Sequence, residues 1–152
     1  MGQYYLICNL DKREYLHPAR FDEGLKAREW GSGRQVPVAL SLLLIDGDGR
    51  GGGDFNVPEI AGRWAGDKIV VAGDYADEGR FCDSVTPSED FCYKLAHVQD
   101  KDDEPIKTIQ DVNIYTFAQR DFKDISKKVI DEWNIVYGES DERWTYRPPS
   151  TN

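Results

Sequence analysis

Lys68-Ile69-Val70-Val71-Ala72-Gly73-Asp74 is the stretch that decides how the rest is read. Its β-branched centre is unbroken, and Gly-Asp ends it. Such a run predicts a strand covered on both faces. Gly66-Asp67 precedes it, so both ends carry turn chemistry. A strand needs partners. Residues 3–9, Gln-Tyr-Tyr-Leu-Ile-Cys-Asn, supply one, and Glu14-Tyr15-Leu16 returns after the polar turn Leu10-Asp-Lys-Arg13. Those two segments read as a hairpin. Val112 to Ala118 reads as the fourth strand.

Helices are expected between these strands. Pro18 opens one over Ala19 to Trp30, with Phe21, Leu25 and Trp30 inward and Gly31 as its stop. Pro37 suits the first turn of a second, in which Val38, Leu42 and Ile45 share a face; a buried strand is the rival reading of that run. Asp121 is a candidate N-cap of a third, with Asp124 at the capping-box position. Ile125, Val129, Trp133 and Val136 give it an amphipathic period, and Gly138 ends it. Ser88 is a candidate cap for a short further helix through His97. The expected architecture is α+β: a single compact domain over residues 1–138, about four strands with three helices and one long Gly/Asp-rich loop. Residues 139–152, with Pro148-Pro149, read as a polar, frayed tail.

The chain has 152 residues, about one domain on the usual prior. Hydrophobic residues make up 39% and aromatics 12%, which excludes a disordered chain. The longest apolar run, Val36 to Ile45, is too short for a membrane span and contains Pro37 and Ser41. No basic region followed by an apolar stretch opens the chain, so no signal peptide is expected. Met1-Gly2 lacks the Ser or Thr at position 6 that myristoylation wants. Cys8, Cys82 and Cys92 are odd in number and form no Cys-x-x-Cys pair. A reducing, cytoplasmic compartment is therefore expected, with Cys8 a buried small hydrophobe. With His17 and His97 they match no usual zinc spacing.

Charge is uneven. The net formal charge is −9. Residues 46–104 hold six basic and fifteen acidic side chains, so this third carries the whole imbalance. Nucleic-acid phosphates and anionic lipid are disfavoured as direct partners; divalent cations and basic protein surfaces fit.

Asp46-Gly-Asp-Gly-Arg-Gly-Gly-Gly-Asp54 lies at the start of that acidic third. Glycine at this density excludes regular structure. Asp46, Asp48 and Gly51 match an EF-hand loop, but Arg50 and Val57 stand where oxygen ligands are needed. A looser Ca²⁺ or Mg²⁺ site from Asp46, Asp48 and Asp54 is the metal reading. Gly47, Gly49 and Gly52 match the dinucleotide fingerprint without the helix that must follow it. A metal-assisted hydrolase would use Asp54, Asp67, Asp74 and Asp77 as its carboxylates, with Arg50 or Arg63 for an anionic group. Against this, Gly66-Asp67 and Gly73-Asp74 also read as ordinary turns, in which Asp bonds local backbone. Trp64 either anchors the loop to the core or offers a face to a partner. A Gly-rich loop needs packing to be ordered, which favours the anchor.

The opening Met1-Gly-Gln-Tyr-Tyr5, Leu10-Asp-Lys-Arg-Glu-Tyr-Leu-His-Pro18, Gly49-Arg-Gly-Gly-Gly-Asp54 and Trp64-Ala-Gly-Asp-Lys-Ile-Val-Val-Ala-Gly-Asp-Tyr-Ala-Asp77 resemble a group of small uncharacterised microbial proteins. The resemblance spans roughly residues 1–80 and implies a stand-alone domain, with no functional residues to carry over.

The leading functional expectation is a small acidic interaction or regulatory protein, of inhibitor or immunity-protein type. Arg50, Trp64, Asp100, Asp102 and Asp103 would meet a basic protein partner. The alternatives are a divalent-metal-dependent hydrolase of a phosphoester or nucleotide, and a small-ligand-binding domain with the Gly loop closing over its ligand.

Overall fold

The computed structural model describes residues 3–46, 59–81, 112–139 and 141–149. The described elements run β1 (Tyr5–Asn9), β2 (Glu14–Leu16), a 3-10 turn (Pro18–Phe21), α1 (Ala27–Gly31), α2 (Val36–Leu44), β3 (Ile69–Gly73), α3 (Ile114–Asp121), β4 (Lys123–Asp124) and α4 (Ser126–Tyr137). The fold is α+β, with one four-stranded sheet in the order β3-β1-β2-β4. Strand β1 is antiparallel to both neighbours, and β2 runs parallel to β4. No described helix is long and apolar enough to cross a membrane.

Alternation along β1 explains the layers. Ile7 points to one face, into a core with Leu16, Phe21, Leu42, Trp64 and Trp133. Leu6 and Cys8 point to the other, against Ile114, Phe117 and Phe122. Successive side chains of a strand must take opposite faces, so a continuous apolar run needs a cover on each side. Helices α2 and α4 supply one cover and α3 the other. β1 is buried on both faces, with Leu6, Ile7 and Cys8 fully buried. β3, whose sequence predicted that role, is an edge strand among the described residues and leaves Val71 45% exposed. An apolar run records hydrophobicity, and position within the sheet depends on which partners arrive.

The hairpin forms as expected, with Ile7 opposite Leu16 and Asn9 opposite Glu14. The run from Val36 is a helix, with Pro37 in its first turn. It is capped from a distance: the Glu23 carboxylate accepts the Val36 N–H at 2.8 Å. Gly62 adopts φ +77°, and a Cβ there would stand 2.8 Å from the Ile45 carbonyl oxygen, so only glycine fits.

Four expectations are corrected. The helix over Ala19 to Trp30 is interrupted. Asp22 takes the left-handed region at φ 57°, ending the Pro18–Phe21 turn, and α1 starts only at Ala27. Phe21 and Trp30 are still buried, as the helical spacing required. Val112 to Ala118 is not a strand. Asn113 caps α3 by accepting the Thr116 N–H at 2.9 Å, and Ile114, Phe117 and Ala118 are its buried face. Asp121 is not the N-cap of α4, which is Ile125; it closes α3 and pairs with Arg13. α4 begins at Ser126, whose N–H donates to Asp124 Oδ1 at 2.9 Å. Ile125, Val129 and Trp133 are buried as the period predicts, while Val136 is 40% exposed.

The C-terminal segment is the fourth. Trp144 is buried, and its indole stacks on Trp133 with centroids 4.1 Å apart and planes 6° from parallel. Asn134 clasps its backbone, accepting the Trp144 N–H at 2.8 Å and donating to the Trp144 carbonyl at 2.9 Å. Arg147 N–H donates to the Arg20 carbonyl at 2.8 Å. Residues 141–149 are bound to the body, not frayed.

Candidate functional site

A polar cluster gathers where the β1–β2 turn meets residues 59–67. Asn9 and Glu14 face each other across the hairpin, and both are buried. Arg63 grips the Glu14 carboxylate with two bonds, Nε to Oε1 at 3.0 Å and Nη2 to Oε2 at 2.6 Å. The Trp64 indole N–H adds a third at 3.0 Å. Burial pushes the Glu14 carboxyl upward, but the Arg63 and Trp64 bonds outweigh it and leave the group below its ordinary range. Asp67 accepts from Lys12 Nζ at 2.5 Å and Asn9 Nδ2 at 2.8 Å, which holds its carboxyl low as well. Bidentate, charge-assisted bonds of this kind fix geometry strongly.

This cluster pins one end of the Gly/Asp loop. Gly62 N–H donates to the Leu42 carbonyl at 2.9 Å and Trp64 N–H to the Leu43 carbonyl at 2.8 Å. The chain therefore re-enters the body against the last turn of α2, the element it left at Ile45-Asp46. Trp64 is fully buried, so it is the anchor and not an exposed face. Asp46 is exposed beside the loop. Asp48, Arg50, Asp54, Asp100, Asp102 and Asp103 lie outside the described residues, as does the expected Ser88–His97 helix.

Of the remaining carboxylates, Asp67 and Asp74 bracket β3 from opposite ends. At about 3.3 Å per residue their backbones stand roughly 20 Å apart. They do not share a cation. Each also has a local duty: Asp74 Oδ1 accepts the Tyr4 N–H at 3.0 Å, and Asp74 N–H donates to the Tyr4 carbonyl at 3.0 Å. Asp77 is exposed beyond that turn. Among the described residues no group of three or more His, Cys, Asp or Glu side chains is placed to hold a metal. Burial pushes the Cys8 thiol up to about 12, far from the thiolate a nucleophile or metal ligand requires. His17 is held below its ordinary value by burial and then by Arg20.

A concavity of about 530 Å³ opens between the start of α2 and the C-terminal segment. Arg34, Gln35, Trp133, Glu142, Arg143 and Trp144 line it. The Gln35 Oε1 atom is buried there without a hydrogen-bond partner among the described residues.

Sequence reading missed Asn9, Lys12, Glu14 and Asn134. Glu14 carried a signal: it follows a polar turn yet occupies an inward phase of β2, where an unpaired charge is not tolerated. Nothing local marks Asn134. No protein-family model, curated protein or solved structure matches this chain.

Proposed function

We propose that this chain is a small acidic protein-binding module, of inhibitor or regulatory type, that presents its Gly/Asp-rich loop to a basic protein partner. The observation carrying the reading is the anchorage of residues 59–67. Trp64, Glu14 and Arg63 hold the loop's return against the end of α2. A loop with fixed roots loses less entropy on binding than a free one. The acidic imbalance of residues 46–104 favours a basic surface and speeds encounter with it. Asp67 and Asp74, the carboxylates nearest the best strand, are engaged in turn and ladder contacts, which weighs toward binding over catalysis.

Affinity capture of basic proteins with the full chain tests this. The complex is expected to weaken with salt and on Asp48→Asn with Asp54→Asn, or on Asp100, Asp102 and Asp103→Asn. A complex indifferent to both sets and to salt removes the acidic surface from the argument.

One observation favours a second reading, small-ligand binding. The 530 Å³ cleft falls within the usual size of ligand sites, roughly 300–1,000 Å³. A thermal-shift screen of nucleotides, sugars and amino acids, repeated on Arg34→Ala, is its test; silence throughout refutes it.

A further inference from the structure

We infer that the free edge of β3 pairs antiparallel with β3 of a second copy of this chain, joining two four-stranded sheets across a twofold axis at Val71. Among the described residues nothing pairs with the outer side of β3. The other sheet edge, β4, is only two residues long.

Hydrogen-bond phase decides which groups point outward. Leu10 N–H donates to the Lys68 carbonyl, and Asp74 N–H donates to the Tyr4 carbonyl. In an antiparallel ladder the bonded positions alternate. Residues 68, 70, 72 and 74 therefore turn their backbone groups toward β1. Ile69, Val71 and Gly73 turn theirs toward the open side. The Gly73 carbonyl already accepts the Ala76 N–H at 3.1 Å. Among the described residues, Val71 N–H and C=O, Ile69 C=O and Gly73 N–H have no partner; the Ile69 N–H also points outward, toward the opposing Gly73 carbonyl that is already engaged.

These groups are self-complementary. With Val71 opposite the second copy's Val71, the two valines exchange both bonds. Each Gly73 N–H meets the opposing Ile69 carbonyl. That makes four new bonds with no competing partner.

The side chains agree with the same register. Lys68 falls directly opposite Asp74 of the second copy, twice, on one face of the joined sheet. This is a non-hydrogen-bonded position, where side chains approach closest. Lys68 is exposed with its ammonium in no ion pair among the described residues, and Asp74 uses only Oδ1 on Tyr4. Val71, 45% exposed, meets its copy at the centre. The strand interior carries none of the charges, prolines or bulges that blunt edges in monomers.

A ladder this short buries less than a standard interface, so the dimer is weak and concentration-dependent. Sedimentation velocity of the full chain up to millimolar concentration is expected to show reversible movement from 17.3 kDa toward twice that mass. Val71→Lys is expected to abolish the dimer while melting as wild type does. Lys68→Glu is expected to weaken it about tenfold, since two exposed ion pairs become repulsive. Lys26→Glu, the same change in charge at a remote exposed position, is expected to leave it unchanged. Amide exchange at Val71 is expected to slow as concentration rises. A wild type that stays monomeric throughout overturns the proposal. So does a dimer that survives Val71→Lys. If Val71→Lys fails to fold, the contrast between Lys68→Glu and Lys26→Glu decides.

Discussion

Two tryptophans, Trp64 and Trp144, lie in the described stretches 59–67 and 141–149, outside helices and strands, yet both are buried in the same core. Their polar clasps differ in kind. Trp64 is held through Glu14, a buried carboxylate whose charge is matched by Arg63. Trp144 is held by the neutral amide of Asn134 and by stacking on Trp133. The first clasp depends on ionisation and belongs to the sheet. The second is indifferent to pH and belongs to a helix. The comparison teaches that irregular chain is ordered by one large apolar anchor plus one satisfied polar partner, and that the choice of partner sets how the order responds to solution conditions.

Trp64→Ala is expected to have the largest effect. It empties a fully buried site and strips a donor from Glu14, so a loss of about 3–5 kcal/mol is expected in urea unfolding. Trp144→Ala is expected to cost about 3 kcal/mol. It should also free residues 141–149 to proteolysis while amides of β1 stay protected. A global loss of protection would instead make the C-terminal segment integral to the sheet.

Glu14→Gln leaves Arg63 facing a neutral amide. A loss of about 1–3 kcal/mol is expected at pH 7, discounted because Arg63 is a third exposed. Asn134→Ala removes both bonds to the Trp144 backbone, with about 1–2 kcal/mol expected. Trp144 would then lose its stacked position, which quenching of tryptophan fluorescence reports.

The smallest effect sharpens the contrast most. Glu14 and Asp67 both have folded values below their ordinary ones. Their contribution is complete above the ordinary carboxyl range and is lost as pH falls through the folded values, because the unfolded chain takes up protons first. Wild type is therefore expected to lose stability below about pH 4.5, Glu's ordinary value, with a slope shallower in Glu14→Gln. Asn134→Ala is expected to shift the whole curve without changing its slope. Parallel curves for both variants would place the acid limb elsewhere.

One residue of the candidate site was legible as an anchor. A tryptophan inside a Gly-rich segment predicted an anchor, and Trp64 is one. The hydrolase reading grouped Asp67 with Asp74, although the five-residue strand between them keeps them apart. The partners of Trp64 were not legible, because Glu14 lies fifty positions away and only the hairpin's register turns it inward.

By itself the sequence determined the features with local causes. Alternation and turn chemistry make the β1–β2 hairpin. Pro37 starts α2, Gly138 stops α4, and Ile125, Val129 and Trp133 share a face because the helical period puts them there. Tertiary structure decided what local preference leaves degenerate. Val112 to Ala118 suits a strand by composition, but Asn113 caps it and the open face of β1 accepts its Ile114–Phe117–Ala118 stripe as a helix. β3 looks like a central strand, yet among the described residues it pairs with β1 alone, and β1 lies between β3 and β2. Residues 141–149 look like a tail until Trp133 and Asn134 give Trp144 a place to dock. In each case propensity is worth tenths of a kcal/mol per residue, and burying an apolar face is worth several.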